Sequence, residues 1–258
     1  MTRPRLIPVL LLDRDRRLVK TIGFGPRTYI GDPFNVLRLL NEKEVDEIFV
    51  LDIDATIDER VPNLDFLAEL ASECFVPLSY GGGLNSLKLC EELVSLGVEK
   101  LVFGTSALQG TLVSDVSRIL GAQAVIGCLD YRDIGGHATV FTHSGSNNTG
   151  VDLLAATKHL VSAGCGEIIL QSITLDGART GFDCFSVAEL SPHFDVPFIS
   201  LGGAGSYDDF IPVLMAGASA AASGSAFCFL TRMRAVLVNY PDEADFVRIA
   251  NAVSKLDT

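Results

Sequence analysis

Four aspartates and three glycine-rich segments are where this 258-residue chain could do chemistry. Asp130 closes the apolar run at residues 125–129, Asp52 and Asp54 stand together after the run at 48–51, and Asp176 follows the run at 168–173. A carboxylate at the end of a buried strand can serve as general acid or base, because burial brings its pKa toward neutrality. A helix cap or a loop salt bridge is the alternative for Asp130. Asp52 and Asp54 share one strand end, so one can meet a ligand while the other is structural. The glycine-rich segments are Gly81-Gly82-Gly83, Gly202-Gly203-Ala204-Gly205 and Ser223-Gly224-Ser225. Phosphate needs several backbone N–H donors converging on it, and a Cβ would often block that approach. Asp176-Gly177 would complete such a rim. Two of these loops in equivalent places could hold a ligand with a phosphate at each end; glycines that merely turn the chain are the competing explanation.

These residues need strands to position them. Short β-branched runs alternate with helical patterns of about a dozen residues, which implies βαβ units and a parallel sheet. The expected strands lie near 6–12, 47–53, 77–80, 100–104, 124–130, 167–172, 197–201 and 218–223. Ser86 and Gly97 bracket a helix with Leu89, Leu93 and Leu96 on one face, and Asn63 opens another with Phe66, Leu67 and Leu70 inward. The pattern also repeats at an offset of 120: Glu47 with Glu167, Pro77 with Pro197, Gly97 with Gly217 and Gly104 with Gly224. Eight strands in two similar halves predict a single (β/α)8 TIM barrel over residues 1–258 with an internal two-fold half-barrel repeat. Sites in such barrels lie at the C-terminal ends of the strands, where all the residues above would fall.

Composition narrows the partners. The net charge of −12 argues against a nucleic-acid duplex or an anionic membrane surface as partner. A phosphorylated small molecule remains compatible, since backbone amides do the local work. No run of about 18 apolar residues occurs, and the apolar stretch at 7–12 reads as a strand that stops at Asp13. The six cysteines lack metal-site spacing and read as reduced thiols of a cytoplasmic protein; the four histidines are scattered. Neither metal nor cofactor is expected.

Further segments are specific in combination: Arg5-Leu6-Ile7-Pro8, Gly31-Asp32-Pro33, Asp46-Glu47, Leu51-Asp52-Ile53, Leu129-Asp130, Thr149-Gly150 and Gly166-Glu167, with the glycine loops above. Through these, over nearly its whole length, the chain resembles the cyclase subunit (HisF) of imidazole glycerol phosphate synthase. The resemblance implies a glutaminase partner (HisH-like) at the N-terminal barrel face. Ammonia released there would cross the barrel and attack a ribulosyl-amino nucleotide, giving imidazole glycerol phosphate and an aminoimidazole carboxamide nucleotide. It implies Arg5, Glu47, Lys100 and Glu167 as a charged ring at the ammonia entrance, and Asp130 as one of two catalytic aspartates. Lys20 matches a lysine of the mobile first loop. Gly83 and Thr105 match one phosphate site, and Asp176, Gly177, Gly203, Ala204 and Ser225 the other.

Three positions depart from that family. Leu11 stands where its first catalytic aspartate falls, Gly104 where an asparagine is expected, and Thr174 where an acid is expected; Asp13 would lie beyond the rim. The leucine triplet with Lys20-Thr21 and residues 29–33 and 41–47 resembles a branch of HisF-like proteins, the WbuZ and AglZ type. That branch is associated with acetamidino modification of bacterial surface sugars (O-antigen and lipopolysaccharide), and its barrel would supply ammonia to a sugar amidotransferase. A working cyclase of histidine biosynthesis, which tolerates Leu11 or uses Asp13 or Asp54 instead, and a non-catalytic subunit that activates a glutaminase are the alternatives.

Overall fold

The computed structural model describes residues 3–230 and 235–254. Among them, eight parallel strands form the core: β1 (Arg5–Leu12), β2 (Ile48–Asp52), β3 (Leu78–Gly81), β4 (Lys100–Phe103), β5 (Val125–Ile134), β6 (Glu167–Ser172), β7 (Phe198–Leu201) and β8 (Ala220–Ser223). Each pairs with its neighbour in the chain, and β8 pairs with β1 through Arg5 opposite Ala220, so the sheet closes into the expected barrel. Helices α1 (Pro33–Glu42), α2 (Leu64–Ser72), α3 (Leu87–Ser95), α4 (Leu112–Leu120), α5 (Leu153–Ser162), α6 (Cys184–Leu190), α7 (Phe210–Met215) and α8 (Glu243–Ser254) alternate with the strands.

Local chemistry sets the helix ends. The Asn63 side chain accepts from the Phe66 amide at 2.9 Å and the Ser86 hydroxyl from Leu89 at 3.4 Å, satisfying donors that a first turn leaves free. The inner face of α3 is Leu89, Cys90 and Leu93; Leu96 is the C-cap and stays partly exposed, because the chain turns away at Gly97, φ +104°. Strand alternation divides the apolar residues between two cores. Leu6, Leu10 and Leu12 point outward under the helices, whereas Ile7, Val9 and Leu11 join Phe49, Ile126, Ile169 and Ile199 inside the barrel.

The half-barrel repeat is physical. Ile48 pairs with Leu78 as Ile168 pairs with Phe198, and Tyr80 with Leu101 as Ser200 with Ala221. Left-handed backbone recurs at the same offset of 120, at Glu44 and Gly164, Glu59 and Arg179, Gly82 and Gly202, Gly83 and Gly203, and Gly97 and Gly217. The two halves also extend their first strands alike. β1 continues into a hairpin with strands Leu18–Lys20 and Thr28–Gly31, and β5 into one with His137–Thr142 and Asn147–Asp152.

Among the described residues, no helix is long and apolar enough to cross a membrane, and no cluster of His, Cys, Asp and Glu could hold a metal. All six cysteines are free.

Candidate functional site

At the N-terminal mouth, four charges close into a ring. Arg5 begins β1, Lys100 begins β4, Glu167 begins β6, and Glu47 precedes β2. The Arg5 guanidinium donates to Glu47 at 2.6 and 2.9 Å and to Glu167 at 2.8 Å. Lys100 donates to Glu167 at 2.7 Å and stands 3.6 Å from Glu47, which also accepts from the Ser79 hydroxyl at 2.9 Å. The two carboxylates are half-barrel counterparts, and each cation spans both. The sequence named these four residues, and the barrel brings them together. Above them the interior is apolar, so a neutral molecule crosses it at lower cost than an ion.

At the opposite mouth lies a cavity of about 440 Å3. Gly82, Gly83, Thr105 and Ser106 form one side, and Leu11, Leu51, Cys128, Asp130 and Gln171 form the floor. A second, smaller hollow shares Leu11, Thr21 and Gln171 with it and runs on to Gly177, Gly203, Ala204 and Ser225. The site is therefore a trough with a glycine loop at each end. The amides of Gly83, Leu84, Gly203 and Ala204 have no partner among the described residues, as a phosphate cradle requires. A Cβ on Gly203 would collide with the Gly181 carbonyl, and one on Gly177 with that of Thr21, so both places need glycine.

Some expected residues sit differently from their sequence placement. Lys20 is not on a free loop: it ends the strand Leu18–Lys20, is buried, and donates to the Val9 carbonyl at 2.6 Å with its ammonium against Gly224. Burial pushes its pKa down, opposed by the nearby Cys228 and Asp176. Asp176 lines the second hollow, but its amide donates to Ser172 and its carboxylate accepts from the Thr21 hydroxyl at 2.6 Å, so it ties the β1 hairpin to the rim. The Ser225 amide is taken by the Ser223 hydroxyl at 3.2 Å, leaving the side chain to face a ligand. Asp13 lies outside both hollows, held by the Arg17 guanidinium at 2.8 and 3.0 Å. Asp54 is buried against Arg27 and the Arg14 amide, whereas Asp52 borders the cavity paired with Arg60 at 3.2 Å.

Leu11 and Asp130 are the same position in the two halves. Leu11 pairs with Leu51 and Asp130 with Gln171, and Leu51 and Gln171 are counterparts. One of two equivalent floor positions thus keeps a carboxyl and the other presents a leucine. Burial in this floor pushes the Asp130 pKa up to about 7; the Cys128 thiol 3.7 Å away opposes the rise and Asp176 adds to it. A carboxyl at that value can donate or accept a proton near neutral pH.

Sequence reasoning missed Gln171, Arg60, His143 and Ser144, all of which border the cavity. Gln171 had a signal in its register beside Asp130. The other three reach the site through loop paths that no periodicity encodes.

A profile of the family described as "Histidine biosynthesis protein" matches residues 5–232. A Pseudomonas aeruginosa protein provisionally named imidazole glycerol phosphate synthase subunit hisF2 is 45% identical over 246 residues, 94% of this chain and 97% of that one. A Leptospira borgpetersenii protein provisionally named subunit HisF is 39% identical, covering 95% and 98%. The imidazole glycerol phosphate synthase subunit HisF of Sulfolobus acidocaldarius is 37% identical, covering 87% and 90%.

Proposed function

Because the chain belongs to the histidine biosynthesis protein family, among the HisF-type cyclase subunits of imidazole glycerol phosphate synthase, we propose that it is the ammonia-receiving barrel of a complex devoted to acetamidino modification of bacterial surface sugars. A HisH-like glutaminase docks over the ring of Arg5, Glu47, Lys100 and Glu167. One cation swings aside, and neutral ammonia enters the apolar interior and emerges beside Asp130. A phosphorylated small molecule lies in the trough, one end at Gly83 and Thr105, the other at Lys20, Gly177, Gly203, Ala204 and Ser225. A sugar amidotransferase then takes up the ammonia.

The observation that carries this reading is Leu11 above an intact ring: the entrance is complete while the floor lacks one of two equivalent carboxyls. Losing a general acid or base typically costs about 10^2- to 10^4-fold in rate. The numbered name of the P. aeruginosa relative fits a further copy beside a histidine-pathway enzyme. A second reading, a histidine-pathway cyclase working through Asp130 alone, is favoured by that carboxyl's pKa of about 7.

Ammonia-dependent cyclase activity on the ribulosyl nucleotide, compared with Leu11→Asp, tests the proposal. An inactive wild type and an active variant are expected. Robust wild-type turnover would refute the sugar role and establish the second reading.

A further inference from the structure

The hairpin after β1 sends Lys20 back over the loop that follows β8, where the ammonium lies against Gly224, beside Ser225 in the same hollow. β5 is the counterpart of β1, and β4 of β8. The hairpin after β5 accordingly returns over the loop that follows β4, and what it delivers there is His143. The His143 amide donates to the Thr105 hydroxyl at 2.9 Å, and the residue borders the large cavity. Gly104-Thr105 and Gly224-Ser225 are counterparts at the offset of 120. The arginines bordering the same cavity are engaged, Arg60 by Asp52 and Asp58, Arg27 by Asp54.

The ring is prepared to donate. Asn147 donates to the Thr142 hydroxyl oxygen at 3.0 Å, and that hydroxyl lies 3.1 Å from His143 Nδ1. With its oxygen accepting from Asn147, Thr142 has Nδ1 as the acceptor for its own proton among the described residues, and in the tautomer that uses this contact the imidazole proton stands on Nε2. Nε2 has no partner among the described residues. The backbone holds the ring in place: His143, Ser144 and Gly145 are all left-handed, at φ +52°, +51° and +76°. Ser144 donates to the Ile53 carbonyl at 2.8 Å, and Gly145 packs against Phe24 and Ile173. Consecutive left-handed residues are what the tight turn between the antiparallel strands His137–Thr142 and Asn147–Asp152 requires, and the Ser146 amide closes it on the His143 carbonyl at 3.2 Å.

We infer that His143 is a further ligand-binding residue whose Nε2–H donates to the anionic group held at Gly83 and Thr105, as the counterpart of Lys20 at the other end. The inference rests on the two-ended phosphate site proposed above. An ammonium at one end and an imidazole at the other hold a ligand with two unlike ends in one direction.

The test titrates inorganic phosphate into the full chain, reading the amide resonances of Gly83 and Gly203 by NMR in wild type, His143→Asn and His143→Gln. Asparagine suits left-handed backbone but places its amide where Nδ1 stands; glutamine reaches the place of Nε2. Affinity at the Gly83 end is expected to weaken about tenfold in His143→Asn, roughly 1.4 kcal/mol, and to stay within about threefold of wild type in His143→Gln. The Gly203 end is expected to be unchanged in both, which also reports a folded chain. Wild-type affinity at the Gly83 end in His143→Asn would overturn the inference and leave the two-ended site standing. Phosphate that perturbs neither end in wild type would refute that site, and the inference with it.

Discussion

Replacing Asp130 by Asn should make the chain more stable at pH 8 and not at pH 4. In the folded protein, burial among Leu11, Leu51 and Cys128 raises this carboxyl from its ordinary 3.8 to about 7. Between those values the unfolded chain has released the proton and the folded chain still holds it. The folded state then binds more protons, so stability falls as pH rises, by about 1.36 kcal/mol per pH unit. The contribution is fully present below pH 4 and lost by pH 7, about 4 kcal/mol in all as an upper bound. Asp130 is half-buried and borders a cavity wide enough for water, which solvates the ion and brings the expected loss to roughly 2–3 kcal/mol. Asparagine has no proton to lose and escapes it. Urea unfolding of both proteins from pH 4.5 to 8.5 measures the difference directly. The two stability curves should diverge by that amount, with most of the change over the roughly two pH units above 4. Parallel curves would show that Asp130 ionises at an ordinary carboxylate pH and would remove the reason for treating it as an acid–base group.

Other substitutions probe the remaining parts. Lys20→Met removes a buried ammonium whose one acceptor among the described residues is the Val9 carbonyl; the ligand-free protein should gain about 1 kcal/mol, roughly 2–4 °C in melting temperature, while inorganic phosphate binds more weakly. Gly203→Ala drives a Cβ into the Gly181 carbonyl at φ +117° and should cost more than about 2 kcal/mol, whereas Gly150→Ala, at φ +68° in open space, should cost about 1–2, both read from denaturant midpoints. Glu47→Gln leaves Arg5 and Lys100 facing Glu167 alone; because both cations keep some water, the cost should be about 2–3 kcal/mol, and glutaminase-coupled activity should fall more than activity with ammonium salts.

Much of this architecture was readable from one sequence because the barrel repeats it. Period-two alternation in β1 separates Leu6 and Leu10 from Ile7 and Val9 without further information. The offset of 120 was visible in the glycines that precede β4 and β8 and in those that follow β3, β4, β7 and β8, and only the latter set lines the two hollows. The charged ring was legible only through the family resemblance; its members stand at strand starts, and closure of the barrel is what brings them together. What stayed hidden depends on paths that leave the barrel. A lysine eight residues after β1 looks mobile, yet the antiparallel pairing of Leu11 with Val19 buries it. β5 was expected to stop at Asp130 but runs to Ile134, and only that extension carries the hairpin that returns His143 to the cavity. Ser223 capturing the Ser225 amide is likewise a turn geometry without a pattern in the residue types.

The separation between ring and floor explains how one end of the barrel can change while the other is kept. Six residues of β1 join Arg5 to Leu11, and at about 3.3 Å per residue that is roughly 20 Å. A unit charge there interacts with a ring charge by about 0.8 kcal/mol at an effective dielectric near 20, compared with about 6 kcal/mol for an ion pair at the 2.7 Å between Lys100 and Glu167. Exchanging a carboxyl for leucine on the floor therefore leaves the ring's pairing almost untouched. The ring is also satisfied internally, each carboxylate held by both cations, so it does not depend on the floor for neutrality. A barrel built this way can exchange a floor carboxyl at the upper mouth without rebuilding the ring at the lower one, which is the independence that the proposed ammonia-receiving role requires.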